Sequence, residues 1–228
     1  MKKILGSLFA ALGLALALQA HASPTDPKAG VDYQVLQPAQ PVNVPAGKIE
    51  VTEFFWYGCP HCAAFDPKLE AWIKKQNKDV VFDRVPVAFR KEFEPHQRLY
   101  YALVTLGRER EMTPKIFHEI QVNKDYLLTS TTQADFLAKQ GIDRKAFLNA
   151  YNAFSMGSQV ARADQMIQAY KIDGVPTIAI QGKYIVSPSI TDAAMQKAGN
   201  PPKTEQDIFT ATLQTVDAIV AQIRDKKL

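Results

Sequence analysis

The chain has 228 residues, 46% of them hydrophobic and 22% charged, enough apolar material for one large domain or two small ones. Its formal charge of +4 is mild, which gives no electrostatic case for nucleic acid or an anionic lipid surface as a partner. The sequence shows no internal repeat or low-complexity tract. The first two dozen residues read as an export signal. Lys2 and Lys3 make a positive n-region, Ile4 to Leu18 form an apolar run broken only by Gly6, Ser7 and Gly13, and Ala20-His21-Ala22 is an A-x-A site. Cleavage is expected before Ser23, giving a soluble exported chain. The apolar run is short for a membrane span, so an uncleaved anchor is the weaker alternative, and no cysteine lies nearby to carry a lipid. Removing residues 1–22 takes away two lysines and no acid, which leaves a charge of +2.

Ser23 to Pro45 is a Pro-rich lead that reads as irregular. Lys48 to Tyr57, rich in Val, Ile, Phe, Trp and Tyr, predicts a mostly buried strand. Gly58 ends it, and Cys59-Pro60 opens a helix whose first turn tolerates the proline. Leu69, Trp72 and Ile73 give that helix a buried face, and Pro67 is expected to kink it. Val80 to Phe89 predicts a second strand. From Lys91 the pattern turns helical: Pro95 to Leu106 with Gly107 as its stop, then a helix starting at Thr113-Pro114. A third helix carries a Thr132-x-x-Asp135 capping box and ends at Gly141, and Asp143 caps the next. A long helix over about Ser158 to Lys171 leads into Asp173-Gly174-Val175-Pro176. Thr177 to Ile180 and Lys183 to Ser187 flank Gln181-Gly182 as a hairpin, and Pro201-Pro202 precedes a final amphipathic helix. The order β-α-β, helices, α-β-β-α predicts an α/β fold whose sheet is assembled from both ends of the chain around a helical insert.

Cys59-Pro60-His61-Cys62 holds the only two cysteines. An oxidising compartment would let the pair persist as a disulfide. So short a loop removes little entropy from the unfolded chain, so the bond is suited to reaction rather than stapling. Cys59 opens a helix, where free N–H groups and the helix dipole favour a thiolate, and Cys62 lies one turn further in. Cys59 therefore reads as the exposed nucleophile and Cys62 as the buried resolving partner. His61 is either a solvated spacer or a donor and partial charge beside the Cys59 thiolate, and its place between the cysteines favours the second. Glu53 is either a carboxylate at a solvated sheet position or a buried acid near Cys62. His96 and His118 are read as surface or packing residues without a role. A structural zinc site would need four ligands, and two cysteines with scattered histidines supply them poorly. A peptide-binding chaperone would leave the cysteines unexplained.

Glu53-Phe54-Phe55, Cys59-Pro60-His61-Cys62, Val175-Pro176 and the Gly182-Lys183-Tyr184 hairpin together resemble the DsbA-type periplasmic thiol:disulfide oxidases, over essentially the whole mature chain. The resemblance implies a thioredoxin-like fold with an inserted helical domain, residues 23–90 and 163–228 forming the first and 91–162 the second. It implies catalysis by Cys59, Cys62, His61 and Pro60, and a low-pKa Cys59 with an oxidising disulfide, as in the family's type member. The Cys59–Cys62 disulfide would be the only redox group. It also implies a cis Val175–Pro176 bond facing that disulfide, with Val175, Pro176 and Pro188-Ser189 along a groove for extended substrate; Leu69 is either the groove floor or core. Families of this type often carry a lysine where Arg84 stands. Arg84 is able to pair with Glu53 but not to release a proton, which separates it from an ordinary proton relay. Partners implied are reduced exported client proteins and a DsbB-type membrane quinone reductase, with the chain acting as a monomer in the periplasm. An exported isomerase or reductase is the alternative: an isomerase usually adds a dimerisation domain longer than Ser23 to Pro45, and a reductase more often carries Gly-Pro between its cysteines.

Overall fold

A computed structural model describes residues 23–228, so the expected signal segment lies outside the described residues. The elements follow as β1 (Gln34–Val35), β2 (Ile49–Phe55), α1 (Pro60–Lys75), β3 (Val80–Pro86), α2 (Glu94–Thr105), α3 (Glu109–Gln121), α4 (Ser130–Lys139), α5 (Arg144–Tyr151), α6 (Met156–Ala169), β4 (Thr177–Ile180), β5 (Tyr184–Val186), α7 (Pro188–Lys197) and α8 (Glu205–Arg224). The sheet order is β1-β5-β4-β2-β3. β2 and β3 are parallel, which requires a crossover, and α1 supplies it. β4 joins β2 antiparallel from the far end of the sequence, and β5 and β1 extend that edge antiparallel.

Alternation along the strands builds two cores. Val51, Ile178 and Ile180 pack with Phe65, Leu69 and Trp72 of α1 and Phe209, Val216, Ile219 and Val220 of α8. Phe54, Val85 and Ala179 pack with Ala163 of α6 and with Tyr170. A third core joins Phe55 and Tyr57 to Leu99, Leu103, Ile116, Phe117 and Phe147 of the helical layer, and it takes in Cys59 and Cys62. Val160 belongs to this helical core and Ala163, one turn on, to the sheet core. The domain boundary expected at residues 162 and 163 thus runs through α6.

Several local expectations need correction. The lead is not wholly irregular: β1 adds to the hairpin, Leu36 N–H donates to the Lys183 carbonyl at 2.7 Å, and Tyr33 packs edge-on against Tyr184. α3 begins at Glu109 rather than Thr113; Pro114 sits inside it, and Glu109 and Glu111 suit the first turn. The capping box of α4 is Thr129 with Thr132, and Asp135 pairs with Arg144 instead. β3 stops at Pro86, whose carbonyl is taken by Gln97. α7 went unread, although Ser187 caps it by accepting from Ile190 N–H at 3.2 Å and Pro188 opens it. α1 runs unbroken through Pro67, which lies on its exposed side. Leu69 is completely buried in the core between the sheet and α8.

The β4–β5 turn uses two left-handed residues, Gln181 at φ 52° and Gly182 at φ 65°, the geometry that matches the twist of a tight hairpin. Gln40 N–H donates to the Gly182 carbonyl at 2.8 Å, and a Cβ at position 182 would run into the Gln40 carbonyl. Gly182→Ala is therefore expected to cost about 1–3 kcal/mol of stability, seen as a lower urea midpoint at unchanged slope. An unchanged midpoint would show that the lead segment can leave the hairpin freely.

Candidate active site

The site grows from the turn between β2 and α1. Cys59 is the N-cap of α1: its sulfur accepts from Cys62 N–H at 3.4 Å, and Pro60 occupies the first helical turn. Both cysteines are free thiols. Cys62 is fully buried. Cys59 is 6% exposed, a correction to the expected exposed nucleophile. Its sulfur is tucked beneath the Val175 carbonyl at 3.4 Å, so only a small part of it meets solvent.

The two thiols have opposite electrostatics. The hydrogen bond from the Cys62 side chain, against the effect of burial, holds Cys59 at about 6, helped by the backbone N–H groups of Cys62 and His61 and by the His61 charge. Burial pushes Cys62 well above the ordinary thiol value, and the Cys59 hydrogen bond, the Cys59 charge and the Glu53 charge push it further. One sulfur is a stable thiolate and a good leaving group. The other keeps its proton.

The His61 ring is exposed and reaches across to α8, where Nδ1 lies 2.5 Å from Glu205 Oε1. Glu205 was not legible as a partner, since it lies 144 positions along the chain. Val175–Pro176 is cis, and its Val175 carbonyl touches Cys59. Val175, Pro176, Pro188 and Ser189 line a cavity of about 300 Å³ together with His61, Asp192, Glu205, Ile208 and Phe209. The residues expected along a substrate groove thus meet in one mostly apolar trough beside the cysteines.

Behind Cys62 lies a buried ionic cluster. Glu53 on β2 sits opposite Arg84 on β3, and Arg84 Nε donates to Glu53 Oε2 at 2.6 Å. Arg84 Nη2 also donates to Asp66 at 2.8 Å and Nη1 to Glu70 at 3.3 Å, while Arg110 of α3 holds the other Glu70 oxygen at 3.2 Å. Burial, opposed by Arg84, pushes Glu53 up to about 7, and burial raises Asp66 as well. For Arg84, burial works against the charge, but Glu53 and Asp66 outweigh it and keep the guanidinium protonated. Glu53 is therefore not a solvated sheet residue. Asp66 and Glu70 were missed; their signal is the spacing Cys62, Asp66, Glu70, which puts all three on one stripe of α1.

A family model described as a DSBA-like thioredoxin domain matches residues 50–198. The thiol:disulfide interchange protein DsbA of Burkholderia cepacia is 48% identical over 228 residues, all of both chains. That of Azotobacter vinelandii is 40% identical over 98% of each. The crystal structure of Pseudomonas aeruginosa DsbA superposes with a TM-score of 0.77 at 34% identity, covering 89% of this chain and 97% of that one.

Proposed function

The chain belongs to the DSBA-like thioredoxin family, and on that premise we propose that Cys59–Cys62 is the disulfide it donates to proteins newly exported to the periplasm. As a thiol:disulfide oxidoreductase it exchanges bonds without changing the total of thiols and disulfides. A client thiolate attacks the Cys59 sulfur, the Cys59–Cys62 bond breaks, and Cys62 leaves with the electron pair and takes up a proton. A second client thiolate then attacks the client sulfur of the mixed disulfide, and Cys59 leaves as a thiolate. The client loses two electrons and the enzyme gains them.

The opposite pull on the two thiols carries this reading. A thiolate stabilised at Cys59 lowers the free energy of the reduced enzyme, so the disulfide is a strong oxidant. Each pKa unit corresponds to about 1.4 kcal/mol, or about 30 mV for a two-electron couple. His61 supports the thiolate through its backbone N–H and its charge. Glu53, buried and titrating near neutrality, serves as the proton source for departing Cys62, and Arg84 stays charged and orients it. Val175, Pro176 and Pro188 present the wall along which an extended client lies. Residues 91–162 act as the inserted domain that covers the cysteine turn. Reoxidation falls to a DsbB-type quinone-linked membrane protein, and the enzyme acts as a monomer. The isomerase or reductase alternative gains nothing from the site, since a low-pKa Cys59 favours giving a disulfide away.

In Cys62→Ser the Cys59 thiolate can attack a client disulfide, expelling one client thiolate, and the mixed disulfide so formed should accumulate because no Cys62 thiol is left to displace the client. Non-reducing gels of periplasmic extracts would show ladders of adducts that collapse with reductant. Equivalent ladders from Cys59→Ser would reverse the assignment of the two cysteines.

A further inference from the structure

His96 lies on α2 in the helical insert, 1% exposed, and the disulfide chemistry just described makes no use of it. Its two ring nitrogens are both engaged. Nδ1 accepts from Trp56 Nε1 at 3.0 Å, and Nε2 donates to the Tyr126 carbonyl at 2.8 Å. This pattern fits only the neutral ring with its proton on Nε2, since a second proton on Nδ1 would face the indole N–H. Burial works in the same direction, holding its pKa below the ordinary histidine value. The ring is walled by aromatic groups: Phe93 stacked at 6.4 Å, Tyr57 edge-on at 6.2 Å, and the Trp56 indole. Tyr57 is the titratable side chain packed against the ring; Lys91, Glu92 and Glu94 flank Phe93, Lys124 and Asp125 precede Tyr126, and no carboxylate or cation is paired with His96 among the described residues.

Trp56 in turn grips the cysteine turn at three points. Its carbonyl accepts the Cys59 N–H at 3.0 Å. Its backbone N–H draws the pKa of the Cys62 thiol down, against the effect of burial. Its indole lies so close over Gly58 that a Cβ there would fall within the ring. We propose that His96 is a positioning residue for the redox pair: by fixing the Trp56 indole, it holds the backbone groups that contact both cysteines, so the helical insert sets the redox poise of the thioredoxin-like half. This rests on Cys59–Cys62 being the redox pair, a reading that the Cys62→Ser adducts test separately.

His96→Phe keeps the ring volume but leaves the Trp56 and Tyr126 groups without partners, whereas His96→Gln retains a donor and an acceptor. Equilibration of each variant with glutathione buffers should show His96→Phe shifted about fivefold toward the more reducing side, about 20 mV, as expected for one lost hydrogen bond acting on the reduced pair. His96→Gln should stay nearer the parent value. If both variants lose thermal stability while their potentials remain at the parent value, His96 is a packing residue only and the proposal fails. Should His96→Phe not fold, Trp72→Phe leaves Trp56 as the only tryptophan of the chain. Its fluorescence in the oxidised protein, where Cys59 carries no titrating thiol, should then change on acidification. No such transition in that background, or one that persists after His96→Gln, would equally overturn the assignment.

Discussion

Reduced protein is expected to gain about 1 kcal/mol of stability relative to oxidised protein between pH 5 and pH 7, and about 4 kcal/mol by pH 9, from Cys59 alone. Cys59 titrates at about 6 in the folded chain against an ordinary 9.0. A folded pKa below the unfolded value means that the unfolded chain binds the proton more tightly. The stabilisation is therefore complete above about pH 9 and is lost as pH falls through about 6. Cys62 shifts the other way, so its contribution is spent only above the ordinary thiol range and does not bend the curve between pH 5 and pH 8. Glu53, raised to about 7, gives an opposing slope between about pH 4.5 and 7, but it is present in both redox forms and cancels in their difference. Urea unfolding of both forms at pH 5, 6, 7 and 8 gives that difference directly. A flat difference across this range would mean that Cys59 is not a stabilised thiolate, and the oxidising character of the site would lose its physical basis.

The parts of this site that were legible in sequence are those whose geometry is local. Cys59 and Cys62 sit one helical turn apart, and Gly58, Pro60 and the preceding apolar run announce a strand ending in a helix N-terminus. A cap, a dipole and a three-residue spacing are enough to assign a more reactive and a less reactive thiol. Sequence did not reveal how far Cys59 is covered, because the cover is the Val175 carbonyl, 116 positions away. Glu205 and His96 were opaque for the same reason. Each meets its partner across the fold, and neither stands in a pattern that distinguishes it from a surface acid or a packing histidine. Resemblance brought Glu53 and Arg84 together, and the parallel register of β2 and β3 places them directly opposite. The helix starts missed at α3 and α4 share a cause. Threonines at positions 113 and 132 look like caps, but the true starts lie three or four residues earlier, where Glu109 sets an acid in the first turn of α3 and the Thr129 hydroxyl accepts from the Thr132 N–H.

Replacing Arg84 is expected to have the largest effect on stability of any single substitution in the ionic cluster. One guanidinium serves three carboxylates at once, an arrangement that needs several donors in a planar fork and that a lysine ammonium would reproduce poorly. Arg84→Met keeps an aliphatic stem of similar length while removing the guanidinium that lies over the Phe55 and Phe82 rings. Glu53 and Asp66 then lose their cation inside the protein, and Glu70 retains only Arg110. Breaking a buried pair in this way costs about 3–5 kcal/mol, because the remaining charge stays desolvated. The loss should be greatest near pH 8, where the carboxylates are ionised. It should shrink toward pH 5, where Glu53, raised to about 7, relieves the repulsion by taking up a proton, and the upward shift of Asp66 by burial works in the same direction. Adding Glu53→Gln to Arg84→Met should recover part of the loss at pH 8 and little at pH 5, a non-additivity that a double-mutant cycle isolates. A loss of the same size at both pH values would assign the cost to packing, and the cluster would then hold no exchangeable proton for Cys62 to receive.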